Sequence, residues 1–374
     1  MILGDVCEFI VDCPHSTAPD EGKGYPLIRT PNVGKGRLDL NGVHRVSESV
    51  YKQRIQRGAP RANDLIFARE APAGNVALVQ ENQTVCLGQR TVLIRPNVQK
   101  VNPQYLVYYL LSPKPQYELL GTANGATVAH VNLPAIRNLK IELPEKSVQD
   151  KIGTILVNYD DLIENNQRQI KLLEEAAQRL YKEWFVDLRF PGHENTKIVD
   201  GVPEGWSRTN INEILTFHRG YDLTKNEMKA GRYPVVGSTT VIGYHNEFKI
   251  KGPGIVTGRS GSLGKYQFIW DNFWPHNTSL YISDYKDHNI FFVYSLLQTV
   301  DFASLNNGGA IPTLNRNVLS NIEVIEPTDE LQEMFAKIAE AQYRKIRNLE
   351  KQNNQLKMAR DVLLPKLMSG EVEV

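Results

Sequence analysis

The chain has 374 residues, with 43 Lys and Arg against 42 Asp and Glu, a formal net charge of +1, and 41% hydrophobic residues. That length suits two or three globular domains, and a balance this close to neutral selects no acidic or basic partner by itself. No run approaches about 18 apolar residues and no basic-then-apolar leader opens the chain, so neither a membrane span nor export is expected. The three cysteines, Cys7, Cys13 and Cys86, are odd in number and confined to the first third of the chain, which predicts no disulfide framework, no cysteine metal site and a cytoplasmic location.

Residues 1–144 read as a first globular block. Short β-rich runs at 25–28, 65–68 and 91–94 are separated by Gly, Pro and Asn turns. One helical run, 103–111, carries Tyr105, Leu106, Tyr109 and Leu110 on a single face, and Lys114-Pro115 is expected to break it. A strand-like stretch at 139–143 ends at Pro144, giving an α+β block.

A long helix follows within 145–190, with Ser147 as the expected N-cap. A seven-residue step picks out Ile152, Tyr159, Asn166, Leu173 and Leu180. Four residues after each come Leu156, Ile163, Ile170, Ala177 and Trp184. Alternating spacings of four and three mark a helix that buries a narrow seam against another helix. At 1.5 Å per residue such a helix spans roughly 60 Å, too long for an ordinary core helix.

A connector at 191–204 leads to a second block, 205–327, which repeats the first. Tyr25-Pro26-Leu27-Ile28 is echoed by Tyr233-Pro234-Val235-Val236. Asp64 to Arg69, continuing to Gly74, is echoed by Gly254 to Arg259, continuing to Gly264. Asn124-Gly125-Ala126 is echoed by Gly308-Gly309-Ala310, and 139–144 by 322–327. The terminal segment, 328–374, is a second long helix that a shift of 183 lays over the first. Phe335, Leu349, Leu356 and Leu363 fall on Ile152, Asn166, Leu173 and Leu180, and Ala339, Ile346 and Leu367 fall on Leu156, Ile163 and Trp184. Each seam carries an asparagine, Asn166 and Asn353, which fixes register at some cost in stability. The order is block, helix, block, helix, as in a duplicated gene, and the two helices are expected to pair as a coiled coil within one chain.

Enzyme signatures are weak. Gly258 to Tyr266 has the look of a phosphate loop but lacks a Ser or Thr after Gly264-Lys265, and Asn102-Pro103-Gln104-Tyr105 follows no Gly-rich strand. The eight histidines show no metal spacing, so no catalytic or metal residue is assigned. Positive charge concentrates on the blocks: residues 1–143 hold 16 Lys and Arg against 12 acids, and 205–325 hold 11 against 9, whereas 144–190 hold 7 against 9. Arg29, Lys35 and Arg37 lie in a Gly/Asn/Pro loop, followed by Arg54, Arg57 and Arg61. Arg and Lys interleaved with Asn, Gln, Ser and Tyr in loops suit phosphate contact and base-edge reading. The rival reading is a scaffold that presents two modules for a ligand other than DNA on a coiled-coil rod.

The residues from Asp161-Leu162-Ile163-Glu164-Asn165-Asn166 to Leu172-Leu173-Glu174-Glu175, then Trp184-Phe185 and Val202-Pro203-Glu204-Gly205-Trp206, resemble the specificity subunit of type I restriction-modification enzymes. The ending Leu363-Leu364-Pro365-Lys366-Leu367-Met368-Ser369-Gly370-Glu371 is similar to that family's C-terminus. The lead-in Pro203 to Trp206 stands before the second block only, since the first begins at Leu3-Gly4-Asp5-Val6 directly after Met1-Ile2.

The resemblance implies two target recognition domains, each reading half of a bipartite site in double-stranded DNA. The two helices would pack antiparallel and set the spacer. Two modification (methyltransferase) subunits, which carry S-adenosylmethionine, would dock on the chain, and motor-nuclease subunits can join them. The chain itself would hold no cofactor and catalyse nothing. By position in the two copies, Arg69 and Arg259 are expected on the DNA-facing side, with Gln89 and Arg90 in the first block and His276 and Asn277 in the second. Asn124, His130 and Asn132, matched by Asn307, Thr313 and Asn315, form a further tier, and Arg219, Tyr244, Ser260 and Lys265 complete the second block's set.

Overall fold

The structure is a computed structural model and describes residues 1–121, 130–259, 264–300 and 322–374. The chain forms two compact units, one of Met1–Gln167 with Lys351–Val374 and one of Arg168–Glu350. Arg168 and Lys351, where the divisions fall, are 183 positions apart, the offset that superposes the two helical patterns.

In the first unit a five-stranded sheet has the order β1 (Cys7–Asp12), β8 (Thr91–Pro96), β5 (Leu65–Ala68), β6 (Val76–Leu78), β3 (Gly36–Arg37). A three-stranded sheet has the order β4 (Arg45–Val46), β2 (Tyr25–Ile28), β7 (Cys86–Leu87), with β2 and β7 parallel. Four short helices accompany them: α1 (Glu48–Arg54), α2 (Pro103–Leu111), α3 (Pro113–Gly121) and α4 (Leu133–Arg137). Asn102 caps α2, its side chain accepting from the Tyr105 amide at 3.0 Å, and Pro103 takes the first position, where an amide would go unused. The expected break at Lys114-Pro115 is instead the first turn of α3. Pro113 and Pro115 both sit where a missing N–H costs no helical bond. The stretch 139–143 is not a strand either. Its pairing is confined to a bridge between Ile2 and Lys140, flanked by Leu3 N to Leu139 O at 2.9 Å and Ile141 N to Met1 O at 3.0 Å.

The second unit opens with a hairpin of β9 (Ile198–Val199) and β10 (Val202–Pro203), then β11 (Ser207–Asn210) and the short helix α6 (Ile211–Ile214). Its main sheet has the order β12 (Thr216–Arg219), β18 (Ser279–Asp284), β15 (Gly254–Gly258), β16 (Tyr266–Ile269). Its smaller sheet has the order β14 (Val241–His245), β13 (Tyr233–Val236), β17 (Trp274–Pro275), again with the last pair parallel. Thus β1-β8-β5-β6 recurs as β12-β18-β15-β16, and β4-β2-β7 as β14-β13-β17. α7 (Ile290–Thr299) takes the place of α2, capped by Asn289 through the Phe291 amide at 3.0 Å. β19 (Glu323–Glu326) pairs with β11, so here the strand expected from sequence is formed.

Two long helices complete the units, α5 (Lys146–Tyr181), which ends in a π-helical turn at Lys182–Val186, and α8 (Asp329–Ser369), which continues through Pro365. Ser147 lies inside the first turn of α5 rather than capping it. In the first unit Ile152, Leu156 and Leu367 share one core with Leu65, Phe67 and Leu106. There Asn166 donates to Asn353 at 2.9 Å and to Gln352 at 3.1 Å, and Asp160 pairs with Arg360, so contacts climb α5 as they descend α8. In the second unit Ala177, Tyr181 and Trp184 share a core with Phe335, Ala339, Tyr343 and Ile346. Of the expected seam, Ile152, Leu156, Ile163, Asn166, Trp184, Phe335, Ile346, Leu349, Asn353 and Leu367 are buried, while Tyr159, Ile170, Leu173, Leu180, Leu356 and Leu363 are half-buried. Asp160 and Tyr181, which the seven-residue step passes over, are buried as well, because the helices also face their blocks.

A polar latch recurs in both units. Buried Gln149 donates to Pro144 O at 2.8 Å and accepts from the Asn102 amide at 3.0 Å, and Asn102 donates to Asp150 at 2.6 Å. Buried Gln332 donates to Pro327 O at 2.9 Å and meets His288 Nδ1 at 2.9 Å. These bonds tie the start of each long helix to the turn before it and to the helix of its block.

Candidate nucleic-acid interface

In the first unit, three adjacent strands deliver charged residues to one end of the main sheet. Asp12 ends β1, Arg69 follows β5 and Arg90 precedes β8. Arg69 pairs with Asp12 at 2.7 Å, donates through Nε to Val131 O at 2.8 Å, and meets His130 Nε2 at 2.7 Å. The other nitrogen of His130 meets Glu70 at 2.5 Å, and Glu70 also pairs with Arg90 at 2.7 Å. His15 approaches Asp12 at 3.5 Å, and Gln89 donates to His15 O at 2.8 Å. Four expected residues, Arg69, Gln89, Arg90 and His130, therefore meet in one network with Asp12, His15 and Glu70, which sequence reading missed. Its outer members are His15 and Arg90, whose side chains are 69% and 62% exposed, whereas Arg69 is 11% exposed. Arg90 is held with φ at +64°, a left-handed backbone that few non-glycine residues adopt, which fixes where its side chain emerges.

This geometry corrects the reading of Arg69. Its guanidinium is neutralised by Asp12 and bonded on both sides, so it positions Arg90 and His130 rather than presenting itself to solvent. The acid that holds it comes from β1 and not from neighbouring Glu70.

The second unit has the same backbone arrangement with different side chains. Arg69 N bonds to Arg90 O at 2.9 Å, and Arg259 N bonds to Thr278 O at 3.2 Å. Arg259 is half-buried and Arg219, at the end of β12, is exposed; among the described residues no ion pair engages either. His276 meets Thr278 Oγ1 at 2.9 Å, and Asn277 donates to Asp222. His218 lies 6.1 Å from Tyr221 between ring centroids, and Lys249 sits 4.7 Å from the Trp274 ring, so a cation lies over the aromatic rings here. Tyr244 is 59% exposed on β14, and Lys265 is exposed just before β16.

The loop cations separate into two kinds. Lys35 and Arg57 are exposed, the latter donating to Cys13 O at 3.2 Å, and Arg61 is exposed beside Glu8 at 3.2 Å. Arg29 is half-buried after β2, and Asn132 is exposed before α4. Arg54, by contrast, is 5% exposed and donates to the carbonyls of Pro14, Ser16 and Leu87. It staples loops together, which removes it from the interface. Arg37 is tied to Asp161 on α5 and so holds the block to its helix. Asn124, Ser260, Asn307, Thr313 and Asn315 lie outside the described residues.

Burial pushes the thiols of Cys7 and Cys86 up to about 12 and about 11 and raises that of Cys13 as well, so none is a thiolate nucleophile at neutral pH. Among the described residues no group of three or more His, Cys, Asp or Glu could hold a metal ion, and no helix is long and apolar enough to cross a membrane.

The family described as type I restriction modification DNA specificity domain matches residues 1–175 and again 203–358. The chain is similar to the type I restriction enzyme MjaIX specificity subunit of Methanocaldococcus jannaschii, with 27% identity covering 89% of this chain and 83% of that one. It is similar also to the type I restriction enzyme HindI specificity subunit of Haemophilus influenzae, with 22% identity covering 84% and 87%. The crystal structure of a type I restriction-modification S subunit from M. genitalium superposes with a TM-score of 0.61 at 17% identity, covering 98% of this chain and 95% of that one, which shows a shared fold. With two matches that together span most of its length, each over one block and the adjoining helix, this chain belongs to the family of type I restriction-modification DNA specificity domains.

Proposed function

We propose that this chain is the DNA-reading subunit of a type I restriction-modification assembly, each block contacting one half of a bipartite site. The observation that carries the reading is the pair of matched sheet ends. One backbone frame is kept in both units, while its side chains differ: an acid-buttressed Arg90 and His15 in the first, Arg219 and Arg259 with His218 and Lys249 against rings in the second. A duplicated frame with changed chemistry suits two different half-sites in the major groove, where each base pair shows its own donor and acceptor pattern. α5 and α8, paired as a coiled coil, fix the distance between half-sites. Their remaining faces dock the methyltransferase subunits that carry S-adenosylmethionine and act on the DNA.

Binding to DNA in the presence of the methyltransferase subunit tests this. Arg90→Ala is expected to weaken binding and to reduce the dependence of log K on log salt by about 1, as loss of one phosphate contact does. Methylation-aware sequencing of cells with and without the gene is expected to return one bipartite motif. A motif without a spacer, or none, would sink the reading.

A further inference from the structure

In the second unit the turn between β13 and β14 is fastened to the sheet end that carries Arg259 and His276. Gly237 N bonds to Thr240 O at 2.9 Å and closes the turn, and His276 N donates to Val236 O at 2.9 Å. The Gln267 side chain donates to Gly237 O at 3.0 Å, and Ser238 Oγ donates to Thr278 O at 2.9 Å, the carbonyl that also accepts from the Arg259 amide. On this tip two β-branched aliphatic side chains stand in the open, Val241 at 41% and Ile242 at 47% exposure. Ile242 leans over Gly237, its Cγ2 lying 2.8 Å from where a Cβ at 237 would stand. Thr278 Oγ1, bonded to His276 Nδ1, lies 3.7 Å from the same point. A side chain at 237 would displace Ile242, so the glycine keeps it beside Thr278 and His276. The first unit treats the matching residue differently. Pro26 pairs with Arg45 as Pro234 pairs with Tyr244, which sets Val43 against Ile242. Val43 is buried in a core cluster with Ile28, Val33 and Leu38. The second unit has residues 237–240 where the first has 29–44 between the two strands, and its aliphatic group is left outside.

We propose that Ile242 reads a thymine in the half-site of the second block, by packing on its C5 methyl group. The inference rests on the DNA-reading function above and names one base of its substrate. An aliphatic side chain has nothing to offer a phosphate, and here it stands among Arg259, His276, Asn277 and Thr278, which do. Of the groups that base pairs present in the major groove, the thymine methyl is the apolar one, and cytosine at the same place lacks it. Packing on that methyl takes both groups out of water, whereas no other base edge repays the exposure of Ile242. The first block, with Val43 buried, has no such contact at this position of the frame.

The experiment titrates the full chain, with its methyltransferase subunit, into a dye-labelled duplex bearing the motif that methylation-aware sequencing returns. Each thymine of both half-sites is replaced in turn by deoxyuridine, which pairs alike but lacks the methyl. One replacement is expected to weaken binding by the parent chain about 4-fold, what the burial of one methyl group is worth. The same replacement should leave binding by Ile242→Ser unchanged, the coupling that a double-mutant cycle reads. Ile242→Ala, which withdraws the side chain from the methyl, serves in its place should the serine variant fail to fold. A motif with no thymine in either half-site, indifference of the parent to every deoxyuridine, or an equal loss in parent and variant would overturn the proposal while leaving DNA reading intact. Failure of the parent to bind the unmodified duplex would instead sink the DNA-reading function, and this inference with it.

Discussion

Asp160 of the first unit and Tyr343 of the second occupy the same place on α5 and α8, and they fasten their blocks by opposite chemistry. Asp160, with its side chain 3% exposed, pairs with Arg360 and accepts from Tyr108 at 2.6 Å, while Arg37 pairs with Asp161 one residue on. In the second unit the corresponding trio is Tyr343, Ala177 and Ser295. Tyr343 stands 5.2 Å from the Tyr294 ring, 6.0 Å from Phe291 and 6.1 Å from Phe268. The first seat is made of charge and the second of rings. A duplicated frame therefore constrains where a block meets the helix pair but not the forces used there. The first seat is sensitive to loss of one charge, the second to loss of volume.

The sharpest way to break this comparison is Asp160→Ala. It leaves the Arg360 side chain, 13% exposed, without its main partner, and unpairing a buried ion typically costs about 3–5 kcal/mol. All four tryptophans, Trp184, Trp206, Trp270 and Trp274, belong to the second unit, so fluorescence follows that unit alone while circular dichroism follows both. Urea unfolding of the variant is expected to shift the dichroism transition far more than the fluorescence transition. Equal shifts would mean that the two seats are not separable. Replacing Asp160 and Arg360 together by Met and Leu should recover most of the loss, since a packed apolar pair often equals a buried ion pair.

Next in size is the asparagine layer. Asn166→Leu leaves the Asn353 amide buried without its partner, at about 1–3 kcal/mol. The double change to Leu is expected to be neutral or stabilising, while relaxing the register that the amide pair specifies. Crosslinking of cysteines placed at 163 and 356 would read that register; identical yields in the double variant and the parent would remove the role given to the asparagines.

A smaller effect is expected from Tyr343→Phe. The ring stays and only the hydroxyl's bonds to Ser295 and Gln298 go, for about 0.5–1.5 kcal/mol in the fluorescence transition. A loss as large as that of Asp160→Ala would show that the second seat is polar after all.

These seats also show what the sequence could and could not reveal. The long helices and their seam were legible because heptad spacing is local and periodic, and the repeat was legible because an offset of 183 recurs along both long helices and the segment leading into each, Gln149 and Gln332 included. The latch those glutamines form was not, because its acceptors are carbonyls of Pro144 and Pro327, whose direction no side-chain pattern encodes. Arg54 looked like surface charge, yet carbonyls from Pro14, Ser16 and Leu87, about 33–40 residues away, converge on it. Arg69 was correctly placed at a sheet end but misjudged in state, because Asp12 lies 57 positions earlier and meets it only through the order β1-β8-β5. Charge pairing across a sheet is set by topology, and topology is what one sequence encodes least directly.

The smallest and most specific effect concerns the loss of stability with rising pH in the second unit alone. Glu174 on α5 and Glu350 on α8 flank the seam there. Burial raises the Glu174 carboxyl above its ordinary 4.5, with repulsion from Glu350 and Glu175 adding to it, and burial raises Glu350 too. The folded state thus binds these protons more tightly than the unfolded state. The stability they contribute is complete below about pH 4.5 and is lost as pH rises through the raised values. Glu350→Gln removes one of these groups and one source of repulsion on the other. The fluorescence-monitored stability of the parent chain should therefore decline more steeply above pH 4.5 than that of the variant, with the variant at least as stable at neutral pH. Parallel curves would show that the glutamates ionise without cost, and that the ring-built seat is as indifferent to charge as its side chains suggest.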